Sequence, residues 1–140
     1  MKVTLKRLNN DVHFEGINLD GNTIHLDGSP EIGGEGKGMR PTESLLTSIA
    51  ACSSIDVVVL LKKMRQQLDD IKVEITGERA EDQVPKIFTK IHLHFILTGK
   101  IKEEKAAQAV KMSAETYCTV AKMVDKVAEV TYDFEIVENA

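Results

Sequence analysis

With 140 residues, 42% hydrophobic and 29% charged, the chain has the composition of a soluble globular protein able to bury a sizeable core without covalent staples. A formal net charge of −4 leaves no sequence-wide basic footprint, which argues against nucleic acid as a partner and against a polybasic membrane patch. The opening MKVTLKRLNNDVHF alternates apolar and polar residues without the apolar run of a secretory signal, and the most apolar stretch, 49–61, is shorter than a bilayer span; a cytoplasmic protein with no membrane partner is expected.

In chain order, three short strands come first: the alternation of Val3 to Leu8, then His13 to Ile17, then Thr23 to Leu26, with turn signals at Asn9-Asn10-Asp11 and Asp20-Gly21-Asn22. Residues 28–41 hold five of the nine glycines and two of the three prolines, so this stretch is a loop. Its Gly36-Lys37 pair does not make a phosphate cradle, because Glu31 stands where the first glycine is needed and no Ser or Thr follows the lysine; a flexible connector or a lid fits better. A long helix is predicted over residues 42–68, with Pro41 suited to its first position and Thr42 and Glu43 to its positive end. Its apolar residues, from Leu45 to Met64, surround the axis almost completely, so a second subunit is expected to cover part of it. Two alternating strands follow, Ile71 to Thr76 and Ile87 to Leu97, joined by a polar loop over 81–85. Residues 102–128 are helical with a break near Ser113, which is suited to capping a second helix, and Val130 to Ile136 form a last strand. The order β-β-β-α-β-β-α-α-β predicts a single α+β domain over 1–140 with a central buried helix.

Among candidate chemical groups, His92 and His94 share one strand face but have no carboxylate or cysteine nearby in sequence, so they are expected on a solvated face. His13 and His25 have no local partners. No cofactor and no metal are expected. The two cysteines, Cys52 and Cys118, lie 66 positions apart, which rules out a CxxC motif; in a reducing compartment they are either small buried hydrophobes or reactive thiols. Cys52 sits among small residues (Ser48-Ile49-Ala50-Ala51-Cys52-Ser53-Ser54) about 15 Å from the helix N-terminus, beyond reach of its dipole. Asp56, one turn on, would raise its pKa. A reactive Cys52 therefore needs a cation from elsewhere, and Arg40, Lys37, Arg7 and Arg79 are the available donors. Cys118 lies near the start of a predicted helix, whose dipole could favour its thiolate.

Pro41-Thr42-Glu43-Ser44-Leu45-Leu46, leading to Ala50-Ala51-Cys52-Ser53 and Ile55-Asp56-Val57-Val58, resembles the central helix of the OsmC/Ohr family, the osmotically inducible and organic-hydroperoxide-resistance proteins. The run PKIFTKIHLHFILTG from Pro85 to Gly99 and the segment Met112 to Cys118 resemble its second half, closest to an OsmC-like branch of poorly defined function. The resemblance implies antiparallel sheets around a long buried central helix, and an intertwined homodimer. It also implies a thiol-dependent peroxidase: Cys52 attacks an organic hydroperoxide, Cys118 resolves the sulfenic acid to a disulfide, and a dithiol reductant restores both thiols. In the family an Arg held by a Glu ten residues before the cysteine activates the thiolate. Here that position is Thr42, and the carboxylate is Glu43, about 180° from Cys52 on a regular helix; the thiol pair carries over, whereas the activating pair, for which Arg40 and Glu43 are the candidates, departs from the family pattern. The alternative is a non-enzymatic dimer of the same fold that binds a small hydrophobic ligand or senses oxidants through its cysteines.

Overall fold

Asn18 shows how the N-terminal strands turn: its Oδ1 accepts the N–H groups of Asp20 and Asn22 at 3.1 and 2.8 Å, an Asx turn that reverses the chain at Gly21. A computed structural model of the chain, described for residues 1–139, resolves into two compact units, Met1–Leu45 and residues from Leu46 onward.

In the first unit, β1 (Val3–Arg7), β2 (Phe14–Asn18) and β3 (Thr23–Leu26) form an antiparallel meander. The glycine loop that follows is anchored by one carboxylate. Asp27, 2% exposed, accepts the N–H of Gly28 through Oδ1 at 2.8 Å. Through Oδ2 it accepts those of Glu35 and Lys37, at 3.0 and 3.1 Å. The Lys37 N–H, foremost among these donors, holds Asp27 below the usual carboxylate range against the opposing effect of burial. At Gly34 an added Cβ would lie 1.7 Å from the Gly28 carbonyl oxygen, so close main-chain approach accounts for that glycine. The loop is wound around this carboxylate by those three hydrogen bonds.

The long helix α1 (Pro41–Lys63) starts at Pro41 as expected but ends five residues early. Arg65 takes a left-handed φ of 59°, its N–H bonds to Lys62 O at 3.0 Å, and the N–H of Gln66 bonds to Leu61 O at 2.9 Å. Those two bonds close a Schellman motif with a non-glycine residue at its left-handed position, a stop that composition does not announce. Over 23 residues the helix is long and apolar enough to cross a bilayer, a property it shares with core helices of soluble proteins. Within the second unit its stripe Ile49, Ser53, Val57 and Leu61, spaced i, i+4, is fully buried. On the same helix Ile55 and Val59, spaced i, i+4, are 65% and 44% exposed.

The second unit continues with β4 (Gln67–Arg79), β5 (Phe88–Lys100), α2 (Glu103–Met112), α3 (Thr119–Val124) and β6 (Glu129–Val137). The sheet order is β4-β5-β6. β4 and β5 pair as an antiparallel hairpin, whereas β6 lies parallel to β5 because the two helices carry the chain back across the sheet. This sheet is mixed, one departure from the all-antiparallel expectation. A bulge between Leu68 and Asp70 restores Leu68 and Ile71 to one face; opposite it a Cβ on Gly99 would meet Gln67 O at 2.1 Å. Ile91, Leu93, Phe95 and Leu97 form the buried face of β5 and join Ile49, Val57, Leu61, Ala106, Ala109, Val110 and Ala121 in one apolar core.

Candidate active site

Cys52 lies on α1 with Asp56 one turn beyond it, so both side chains leave the same side of the helix. Opposite them the chain between α2 and α3 abandons the α-helical register. Residues Ser113–Tyr117 wind as a single π turn, closed by the Cys118 N–H on Ser113 O at 2.8 Å. Cys118 then turns extended (φ −70°, ψ 103°) and caps α3, its sulfur accepting the Ala121 N–H at 3.4 Å. The expected break near Ser113 is present, but the capping residue is Cys118.

The π turn also places Ser113 against α1. Its Oγ lies 3.1 Å from Ser53 O and 3.3 Å from Asp56 Oδ2, so one buried hydroxyl ties the helix main chain to the carboxylate. Cys118 Sγ approaches Ile49 O at 3.9 Å. The outcome is a three-residue cluster: the sulfurs of Cys52 and Cys118 and a carboxylate oxygen of Asp56 all lie within 4.8 Å of one another. Ser53 Oγ, sealed from solvent, has no hydrogen-bond partner among the described residues, although it sits close enough to the Cys118 sulfur to favour its ionised form.

Burial dominates the electrostatics at Cys118. With 2% of its surface exposed, the thiol is pushed above its ordinary range; the Ser53 hydroxyl and the Ala121 N–H oppose that push, and the neighbouring Cys52 adds to it. The expectation that a helix N-terminus would favour a Cys118 thiolate is therefore overturned: one capping N–H does not compensate for lost water. Cys118 is a protonated thiol at neutral pH. Cys52 is half-buried, reached by solvent more readily than its partner.

The structure brings together the two predicted thiols and adds Asp56, Ser53 and Ser113. The i, i+4 spacing of Cys52 and Asp56 was the one sequence signal for this addition; nothing local marked Ser113. In the N-terminal unit, Glu43 Oε1 accepts the Arg40 main-chain N–H at 2.9 Å, the returning half of a capping box at the start of α1. Lys37 pairs with Glu35 at 3.1 Å, Arg7 is exposed on β1, and Arg79 Nε donates to Lys86 O at 2.8 Å. Among the described residues no cationic side chain forms an ion pair with Asp56. An open groove of about 590 Å³ runs beside Cys118, lined also by Tyr117, Thr119, Lys122, Met123 and Lys126. His92 and His94 do lie on the solvated sheet face, where the parallel strand β6 supplies a carboxylate that sequence proximity did not reveal: Asp133 Oδ1 is 2.9 Å from His92 Nε2 and 2.7 Å from His94 Nδ1.

A family model for OsmC-like proteins matches residues 34–133. The chain is 42% identical over 125 residues to protein YhfA of Escherichia coli, covering 89% of this chain and 90% of that protein. A crystal structure of a protein from Aquifex aeolicus superposes with a TM-score of 0.85 at 34% identity, over 99% of this chain and 97% of that one. An organic hydroperoxide resistance protein OsmC from Legionella pneumophila shares the fold, with a TM-score of 0.71 at 20% identity over 96% and 97% of the two chains. The family is one of soluble, generally dimeric proteins. With both cysteines adjacent inside an α+β fold of this kind, the chain belongs to the OsmC-like family.

Proposed function

We propose that this protein is a cytoplasmic thiol-dependent peroxidase that reduces organic hydroperoxides, built from one OsmC-like domain and working as a homodimer. The observation that carries it is the meeting of two sulfurs, distant in sequence, within 4.8 Å. A disulfide between them requires the sulfurs to close to about 2.05 Å.

The roles follow from solvent access and protonation. Cys52, the more accessible thiol, attacks the distal peroxide oxygen as its thiolate; the O–O bond breaks, the alcohol leaves with a proton, and Cys52 becomes a sulfenic acid. Cys118, kept as a thiol by burial, attacks that sulfur and expels water, giving the disulfide. A dithiol reductant then returns both sulfurs to thiols by exchange. Arg40 is the proposed source of activating charge, with Glu43 holding its main chain at the helix start. The apolar residues around α1 suit an alkyl or lipid substrate. Ile55 and Val59, exposed on α1, are the apolar surface that supports a second copy of the chain packing there.

The burial of Cys118 favours a second reading, an oxidant sensor that cycles slowly: its thiol is pushed above the ordinary range, and a protonated resolving thiol attacks slowly. The same assay separates the two: consumption of cumene hydroperoxide and of hydrogen peroxide with a dithiol reductant, for wild type, Cys52→Ser and Cys118→Ser. The peroxidase turns over many times, prefers the organic substrate and loses all activity in Cys52→Ser, while Cys118→Ser reacts once and ends with over-oxidised Cys52. A wild type no faster than Cys52→Ser ends the peroxidase reading. One oxidation per chain without turnover supports the sensor.

A further inference from the structure

We propose that Cys52, Asp56 and Cys118 form a binding site for a divalent zinc-type metal ion, whose occupancy and the disulfide are mutually exclusive states of the same two sulfurs. In a tetrahedral zinc site, Zn–S bonds of about 2.3 Å and Zn–O bonds of about 2.0–2.2 Å place ligand atoms roughly 3.5–3.8 Å apart. The three donor atoms here, all within 4.8 Å of one another, reach that spacing by small side-chain rotations on a backbone that is already fixed. The π turn and the Ala121 N–H fix Cys118, and the Ser113 hydroxyl fixes Asp56.

Two further observations point to a cation. Asp56 is a half-buried carboxylate with no ion-pair partner among the described residues, and a divalent ion would offset two of the three negative charges it makes with two thiolates. Ser53 Oγ is fully buried and has no hydrogen-bond partner among the described residues, yet lies beside the Cys118 sulfur. A metal-bound thiolate is the acceptor that hydroxyl needs, an outer-shell contact of the kind that orients ligands around zinc. Burial now holds Cys118 protonated; a metal reverses that preference by displacing the proton.

The donor set selects the ion. Two sulfurs exclude calcium and magnesium, which take oxygen ligands, and the carboxylate disfavours copper(I), which prefers sulfur alone. Three protein ligands leave a fourth position for water on the side where Cys52 meets solvent. Oxidation empties the site with balanced chemistry: one hydroperoxide, two metal-bound thiolates and two protons give one alcohol, one water, the Cys52–Cys118 disulfide and the free ion.

The test uses reduced full-length protein titrated with cobalt(II), which reports thiolate ligation by a near-ultraviolet charge-transfer band and tetrahedral geometry by visible bands. One equivalent per chain should bind, zinc should displace it, and one molar equivalent of hydroperoxide should discharge it. Cys52→Ser and Cys118→Ser should abolish the band, and Asp56→Asn, which replaces a direct ligand, should weaken binding. A His92→Ala/His94→Ala double variant should leave it intact. Circular dichroism of each variant excludes unfolding as the cause of a lost band, and an unfolded cysteine variant is replaced by the wild type alkylated at Cys52, in which the band should also be absent. No band in wild type, or a band that survives loss of either thiol, overturns the proposal. The inference does not depend on turnover: peroxide consumption by metal-free protein tests the peroxidase separately, so either result can fail alone.

Discussion

The second unit holds two polar clusters, both assembled from residues far apart in sequence, on opposite sides of its sheet. The Cys52–Asp56–Cys118 cluster lies against the core, with a sealed hydroxyl at Ser53 that has no hydrogen-bond partner and a carboxylate that has no ion-pair partner among the described residues. The His92–His94–Asp133 cluster faces water, and its groups are satisfied: His92 Nδ1 meets Thr131 Oγ1 at 2.7 Å, while Asp133 serves both rings. Its Asp133 side chain is 60% exposed, so water can replace any bond it loses. Polar atoms left incompletely bonded where water cannot reach cost stability, and such sites persist where chemistry needs them. Convergence alone therefore marks neither cluster as functional; convergence with burial and unmet bonding singles out the thiols.

The comparison breaks first on stability. Phe95 and His92 lie on one strand but on opposite faces. Phe95→Ala should cost about 3–5 kcal/mol through lost transfer energy and a cavity, whereas His92→Ala should leave the urea midpoint almost unmoved. A His92 variant as damaged as the Phe95 variant would show that the outer network carries the fold. A smaller loss, about 1–3 kcal/mol, is expected for Ser113→Ala, which strips the shared donor from Ser53 O and Asp56 and leaves both under-bonded. Smaller still in stability is Ser53→Ala, because its hydroxyl makes no bond that folding relies on. Its effect should appear on the sulfur instead. Measured by thiolate absorbance against pH in a Cys52→Ser background, Cys118 should ionise at higher pH once the Ser53 hydroxyl is gone. An unchanged titration would remove Ser53 from the site.

Much of this architecture was legible in the sequence. Alternation in residues 91–97 fixed the buried face of β5, and Pro41 marked the start of α1, because both signals are local. The end of α1 was not legible, since it depends on Arg65 adopting a left-handed conformation that arginine seldom takes. Nor was the parallel seating of β6, which two helices impose from a distance. The two thiols were found through their small and apolar neighbours and through family resemblance. Ser113 was read as a helix cap because serine favours that role, but a π turn moved the cap to Cys118 and turned Ser113 onto α1. Asp133 stayed hidden from the histidines for the same reason β6 did: partners across a parallel pair share no sequence window.

The smallest expected effect lies in the satisfied cluster, and its sign can be worked out from the pair. The Asp133 hydrogen bond, with help from Glu135, raises His94 above the ordinary histidine value against the opposing effect of burial. His94, with His92, lowers Asp133 below the ordinary carboxylate value. A raised histidine contributes stability that is complete below its unfolded pKa, about 6.5, and is lost as pH rises through the higher folded one. A lowered carboxylate contributes above its unfolded pKa, about 3.9, and loses that contribution as pH falls through the lower folded one. Both contributions coexist between roughly pH 4 and 6.5. The stability difference between wild type and Asp133→Asn should therefore be widest in that window and close as the solution becomes alkaline. Proton NMR should show the His94 ring titrating nearer its ordinary value in the variant, because the bond that favoured its charged form is gone. If His94 kept its raised value without Asp133, Glu135, whose Oε1 lies 3.6 Å from His94 Nε2, would be the dominant partner, and the sheet face would be held by a different carboxylate from the one the distances indicate.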